Sequence, residues 1–206
     1  MIKTSLRAKR SNPVLRFILL DCFVVTLLAM TAGKTFAQTY EYSPPPCEFT
    51  VSFPEEPAPE KRCDAGGKRC YDFLSFTQVF DLAATVNFRV ICNPADKTTI
   101  DYYTPKVMEG TLEAMSKRAT VKVEHYETSA RESEDYRQAG LVGESEIAGE
   151  PTIYLAQLWV GKNSIFSIEG ELIGETHKKA DELFRDILRS VKFKSEAKQE
   201  EEDKKQ

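Results

Sequence analysis

The stretch EIAGEPTIYLAQLWVGKNSIFSIEG, residues 146–170, holds two apolar runs separated by a short polar turn. β-Branched and aromatic side chains are frequent in both runs, a composition that favours strands. The separator Gly161-Lys162-Asn163 suits a hairpin turn. The first run, 152–160, is apolar almost throughout, which is typical of a central strand covered on both faces. The stretch therefore predicts two antiparallel strands near the middle of a sheet.

Strand-like and helical segments surround this pair. The further predicted strands are residues 48–54, 70–80, 83–92, 119–128, 135–149 and 192–194. A helix is predicted over 104–117, with Thr104 as N-cap and Pro105 at the first helical position. A second helix, 175–191, has the strongest amphipathic pattern in the chain. The expected fold class is α+β, with a twisted, mainly antiparallel sheet flanked by two helices.

Several of these segments resemble a known family. FTVSFPEEP at 49–57, Gly149 with Pro151 before a strand, and ILRSVKF at 187–193 resemble the PsbP-like α/β/α sandwich. That family includes the extrinsic PsbP protein of photosystem II and short bacterial exported proteins of unknown role. The resemblance covers roughly 47–194 and implies the fold, with a bias toward binding or assembly instead of catalysis. It brings no catalytic residues, and the cysteines lie outside its pattern.

The amino-terminal segment has the layout of a secretory signal. Residues 1–37 carry six Lys or Arg and one acid, Asp21, and include a mostly apolar run at 17–30. Small residues at Thr35 and Ala37 predict cleavage after Ala37. The apolar run is shorter than the roughly 20 residues that span a bilayer as a helix. We therefore expect a periplasmic or secreted protein without membrane insertion after signal removal.

Two alternatives remain for this segment. LRAKRSNP at 6–13 and LDCFVVTLLAMT at 20–31 resemble translated interspersed palindromic repeats of bacterial genomes. If the true start is Met30, no export signal remains and the protein is cytoplasmic. If the leader stays uncleaved, the protein is anchored to the envelope.

Composition divides the chain into four parts. The expected organisation is a signal peptide (1–37), a stiff proline-rich lead-in (38–46), one domain (47–194) and a charged disordered tail (195–206). With 28 Lys and Arg and 32 Asp and Glu in the whole chain, the segment after residue 37 retains 22 basic and 31 acidic residues. This net charge of −9 disfavours nucleic acid, whose binding depends on cations that neutralise phosphates.

Four cysteines of the domain, Cys47, Cys63, Cys70 and Cys92, are the strongest local feature. Their spacing does not match the paired knuckles of zinc sites or a catalytic C-x-x-C dithiol. An even number after an export signal favours two disulfides, for which three pairings are possible. We hypothesise 63–70 and 47–92. The first would display a basic tip, a candidate contact surface made of Lys61, Arg62, Lys68 and Arg69.

Motifs for chemistry are sparse. The sequence has no G-x-S-x-G motif, phosphate-binding glycine loop or EF-hand loop. His125 is expected to be a half-buried strand residue, and His177 a solvated residue of the last helix. No catalytic residue, cofactor or metal site is predicted. The expected function is an exported binding or accessory module with an unknown protein partner in the envelope. The enzymatic alternative is a periplasmic hydrolase or metal-dependent enzyme with a site around His125.

Overall fold

The computed structural model describes residues 39–63, 70–118 and 125–195, all within the unit Ala37–Gln206. The predicted signal peptide and all but the first residue of the predicted tail lie outside these ranges. None of the described helices is long and apolar enough to cross a bilayer.

Strands dominate the described part of the chain. They are β1 (Tyr40–Tyr42), β2 (Phe49–Phe53), β3 (Ala58–Cys63), β4 (Cys70–Phe80), β5 (Ala84–Pro94), β6 (His125–Glu132), β7 (Arg137–Ile147), β8 (Glu150–Val160), β9 (Ser164–Gly174) and β10 (Lys192–Phe193). The helices are α1 (Lys97–Tyr102), α2 (Pro105–Arg118) and α3 (Lys178–Arg189). The two predicted helices are confirmed as α2 and α3, while α1 was not predicted.

The strands form two antiparallel sheets. The larger one has the order β3-β4-β5-β9-β8-β7-β6, and the smaller one has the order β1-β2-β10. The predicted pair from 146–170 is confirmed as β8 and β9, which join at the centre of the larger sheet. The predicted α+β class, with helices packed on a mainly antiparallel sheet, is confirmed.

The small sheet and α3 pack on one face of the large sheet. Phe49 of β2 is fully buried there, with its ring 5.8 Å from both Trp159 and Phe166. Phe184 of α3 stacks on Phe88 with ring centroids 5.2 Å apart. A Cβ at Gly170 would collide with both of these rings, so glycine permits this close approach of helix and sheet.

The other face carries α1 and α2. Thr104 caps α2, since its Oγ1 accepts the N–H of Val107 at 3.4 Å. Met108 and Leu112 of this helix are fully buried in a second core, together with Leu141, Tyr154 and Leu158 of the sheet. The predicted start of this helix is thus confirmed, and the helices cover both faces of the sheet.

Two local expectations were wrong, and one short strand was not predicted. The lead-in contains β1, which pairs with β2 in the small sheet. The strand expected at 48–54 was predicted to be half-buried, but four of the five residues of β2 are buried. β2 is the central strand of the small sheet, between β1 and β10, and it packs on the core. The strand at 152–160 is not covered on both faces along its length. Ile153 is 42% exposed and Leu155 is half-buried, since α3 packs on β5, β9 and β2.

Candidate functional site

A groove of about 580 Å³ lies over the outer strands of the large sheet, on the face that carries α3. We call it the β6–β8 groove. Its lining side chains alternate along the three strands, as one face of a sheet requires. They are Glu127, Ser129 and Arg131 from β6, Gln138, Gly140 and Val142 from β7, and Leu155 and Gln157 from β8.

The register explains why these residues line one cleft. Gly140 lies opposite Ser129 on one side and Gln157 on the other, while Val142 lies between Glu127 and Leu155. Glycine sends no side chain into the cleft. A Cβ there would have only ordinary contacts, the nearest being Ser129 Oγ at 3.7 Å. The depression therefore follows from a missing side chain in β7.

The groove combines an apolar floor with oriented polar groups. Val142 is 43% exposed and Leu155 is half-buried. The Nε1–H of Trp159 donates to Oε1 of Gln157 at 3.0 Å, which fixes the orientation of that amide. The amide nitrogen of Gln157 then remains a donor. Because the rim carries one acid, Glu127, and one base, Arg131, the groove does not select a strongly charged ligand.

A polar cluster lies on the opposite face of the sheet. The buried hydroxyl of Tyr154 donates to Glu169 Oε2 at 2.8 Å. Burial, and next the charge of Glu169, raise the pKa of Tyr154 far above its usual range. The hydroxyl therefore stays protonated and acts as a donor.

Glu171 belongs to the same cluster and is 5% exposed. Its Oε1 lies 3.9 Å from Nη1 of Arg89 and has no hydrogen bond from the described residues. The cation compensates the charge of the carboxylate inside the fold. Across the described ranges, no group of three or more His, Cys, Asp or Glu is placed to hold a metal ion.

The structure brings one predicted cysteine pair together. Cys47 and Cys92 form a disulfide with a Cα–Cα distance of 5.9 Å, so this pairing is confirmed. Cys63 is disulfide-bonded, and the register places Cys70 opposite it. The side chain of Cys70 lies outside the described part, so the 63–70 pairing stays a prediction.

The structure describes the other predicted site residues only in part. Lys61 is exposed on β3. The side chain of Arg62, with Lys68 and Arg69, falls outside the described residues, so the basic tip stays a prediction. His125 begins β6, opposite Glu144 of β7 in the register. Nothing is described of its side chain, and the enzymatic alternative is not tested.

His177 differs from the expected solvated residue. It is the N-cap of α3, and its Nδ1 accepts the N–H of Ala180 at 3.4 Å. Its Nε2 lies 3.0 Å from Asp81 Oδ2, and its ring packs beside Phe80, with the centroids 5.3 Å apart. Only 19% of its side chain is exposed. The contacts come from the β4–β5 turn, which is distant in sequence.

The groove itself was missed by sequence reasoning. No motif marks it, because its residues come singly from three strands. Two signals in the sequence point toward it: Gly140 beside the apolar Ala139, Leu141 and Val142, and the long apolar run of β8. The groove has no contiguous sequence motif, because the strand register brings its residues together from β6, β7 and β8.

Comparison with known proteins gives likenesses of architecture. The cyanobacterial PsbP of Synechocystis sp. PCC 6803 matches with a TM-score of 0.44 and 14% identity, over 81% of this chain and 99% of its own. LpqN, described as involved in cell envelope biogenesis of Mycobacterium tuberculosis, matches with a TM-score of 0.34 and 12% identity, over 77% and 86%. The Ran-binding protein Mog1p of Saccharomyces cerevisiae matches with a TM-score of 0.28 and 8% identity, over 67% and 96%.

No family model matches the sequence, and no curated protein matches it. A cyanobacterial PsbP structure, from the family that the sequence resembles, is among these matches. These likenesses concern the arrangement of strands and helices, and the activities of those proteins are not transferred.

Proposed function

We propose that the protein is an exported accessory module that binds a protein partner in the cell envelope through the β6–β8 groove, without catalysis of its own. The observation that carries this proposal is apolar surface on a part of the sheet face that no other described element covers. Val142 and Ile153 are 43% and 42% exposed there, beside the half-buried Leu155. Removing such surface from water is favourable by about 25 cal/mol per Å². A partner that covers it gains this free energy.

The chemistry of the groove favours an extended protein segment. The floor along Val142 and Leu155 accepts apolar side chains, while Gln138 and Gln157 can hydrogen-bond a backbone. Side chains of an extended segment alternate in direction, so every second one would face the floor. The mixed charge of the rim suits a segment with little net charge.

Export is part of the proposal and has separate support. A disulfide such as Cys47–Cys92 persists in oxidising compartments and is rare in the cytosol. The predicted cleavage after Ala37 gives a mature protein that begins at Gln38. Mass spectrometry of the protein from its native cell should detect this terminus. A terminus at Met30 would contradict export, and an intact leader would support the anchored alternative.

Site-specific photo-crosslinking tests the groove. A photoreactive residue replaces Val142, and the control replaces Thr77, which is exposed on β4 on the opposite face. In the native envelope, we expect a discrete protein adduct from position 142 and none from position 77. Val142→Glu, with the photoreactive residue moved to Gln138, should remove the adduct. No adduct at 142, or the same adducts at both positions, would contradict the proposed surface.

His125→Ala separates the two functional classes. The adduct from position 142 should persist in this variant if the protein is a binding module. If the purified protein turned over a substrate and His125→Ala abolished that turnover, the enzymatic alternative would replace this proposal.

A further inference from the structure

β6 is an edge strand with one unused side. It lies at the end of the large sheet, where β7 pairs with one of its sides. Among the residues that the structure describes, no strand pairs with the other side. The strand spans His125–Glu132, so its outer side presents a row of backbone N–H and C=O groups. Such an edge is a template for a further strand.

The other edges carry the features that usually block this pairing. β3 contains Pro59 and the exposed Lys61, and proline removes a ladder donor. The edges of the small sheet, β1 and β10, are three and two residues long. β6 has eight residues with neither proline nor lysine, so it is the open edge of the described sheets.

The sequence of β6 is complementary to itself in an antiparallel pair. If Ser129 of one copy lies opposite Ser129 of another, Glu127 of each copy lies opposite Arg131 of the other. Facing side chains in such a pair have Cβ atoms about 4.5–5.5 Å apart, within reach of an ion pair. Thr128 then lies opposite Ala130, a small residue that leaves room.

Glu127 and Arg131 are available for this contact. Both are exposed, and within the described residues neither takes part in an ion pair. They point to the same face of the sheet, since they are four residues apart on a strand. Two-fold symmetry would repeat the Glu127–Arg131 pair on the other side of the axis. In this register opposite charges face each other, whereas like charges directly opposite would be unfavourable.

We propose that two copies of the protein associate edge to edge through antiparallel β6 strands, with Ser129 on the two-fold axis. The two large sheets then become continuous. The two β6–β8 grooves lie side by side, and Glu127 and Arg131 of both copies form the wall between them. This inference rests on the β6 edge and not on the proposed partner, because it concerns the protein alone.

Sedimentation velocity of the purified protein, produced from the full chain with its own amino-terminal segment, tests the association. The concentration runs from about 1 to about 500 μM, because small interfaces give concentration-dependent dimers. The wild type should shift from monomer to dimer over this range. Glu127→Arg and Arg131→Glu should each weaken dimerisation at least about tenfold, because each places like charges opposite one another at both symmetric positions.

Mixing the two variants gives the decisive result. On the groove face of β6, Glu127→Arg places two cations and Arg131→Glu places two anions, so an equimolar mixture should form a heterodimer with both ion pairs restored. The double variant Glu127→Arg with Arg131→Glu should dimerise again by itself. Glu150→Arg and Arg185→Glu, exposed at β8 and α3, make the same charge changes elsewhere and should leave dimerisation unchanged.

The outcomes are distinct. A wild type that stays monomeric at every concentration overturns the proposal. Dimers that both single variants leave unaffected, or variants that fail to recover on mixing, also overturn it. Thermal melting of each variant shows whether the fold is kept, and the recovery on mixing cannot arise from misfolded chains. Failure here leaves the crosslinking result for the groove unchanged, so the two proposals are separable.

Discussion

The Cys47–Cys92 disulfide should contribute strongly to the stability of the fold. It joins residues 45 apart in sequence, linking the segment before β2 to the carboxyl-terminal end of β5. In the chain-entropy model, closing a loop of about 45 residues removes entropy from the unfolded state and raises its free energy by about 4 kcal/mol. The double variant Cys47→Ala with Cys92→Ala should therefore lower the free energy of unfolding by about that amount.

The native fold should survive this change, because other contacts hold the same segment. The carboxylate of Glu48 accepts the backbone N–H of Asn163 at 2.7 Å and that of Lys162 at 3.2 Å. It also accepts the hydroxyl of Ser164 at 3.0 Å. The loss should therefore come mainly from a more expanded unfolded chain. That expansion also raises the urea m-value, which scales with the surface exposed on unfolding.

Urea unfolding followed by tryptophan fluorescence measures both quantities. The chain has one tryptophan, Trp159, which is 6% exposed beside Phe49 and so reports on core opening. The single variant Cys47→Ala is the matched control, because it breaks this bond alone and keeps the sulfur of Cys92, whereas reduction would also open the bridge of Cys63. Both samples should lose similar stability. A loss below about 1 kcal/mol in both would refute the loop-entropy reasoning.

Three further predictions follow from single positions. Gly174 has a φ of +103°, and a Cβ there would collide with the carbonyl oxygen of Ala83, so Gly174→Ala should destabilise the protein. Gly110→Ala in α2 should raise the free energy of unfolding by about 0.5–1 kcal/mol, because nothing lies within 4 Å of the added methyl. Urea unfolding measures both glycine variants, and equal changes in their free energy of unfolding would contradict the two predictions. Tyr154→Phe should lower the free energy of unfolding near pH 7 by about 1–2 kcal/mol, since the hydrogen bond from the Tyr154 hydroxyl to Glu169 is lost. The folded pKa of Tyr154 is raised, so its stabilising effect is complete below about pH 10 and is lost as the pH rises further. The stability gap between wild type and Tyr154→Phe should therefore narrow above about pH 10, and a constant gap in pH-dependent unfolding would refute this assignment.

Periodic segments were predictable because their signals are local. Thr104 and Pro105 mark the start of α2 by capping chemistry that needs no distant contact. The amphipathic pattern of α3 likewise placed its buried face, which includes Phe184 and Ile187. The Cys47–Cys92 pairing belonged to one of three possible arrangements. It forms because the fold brings the segment before β2 next to the end of β5.

Short and tertiary features were not predictable. β1 has three residues, which is too few to show a period, and it exists because Tyr40–Tyr42 pairs with β2. His177 is the N-cap of α3, a position where exposure to solvent is the ordinary expectation. Its partner Asp81 lies 96 residues earlier, so only the folded chain brings them together. The same holds for the groove, whose three strands are aligned by register.

The apolar run of β8 correctly predicted a central strand, but it did not show which part of its surface would remain open. That depends on where α3 lies. His177 fixes its amino-terminal end to the β4–β5 turn. At the other end, Ser190 Oγ accepts the N–H of Ser52 of β2 at 2.9 Å. Because both ends are attached to elements away from β6 and β7, α3 cannot move over the groove without breaking these contacts. Among the described residues, the exposed apolar surface of Val142 and Ile153 is therefore a fixed property of the fold, and it is open to a second molecule.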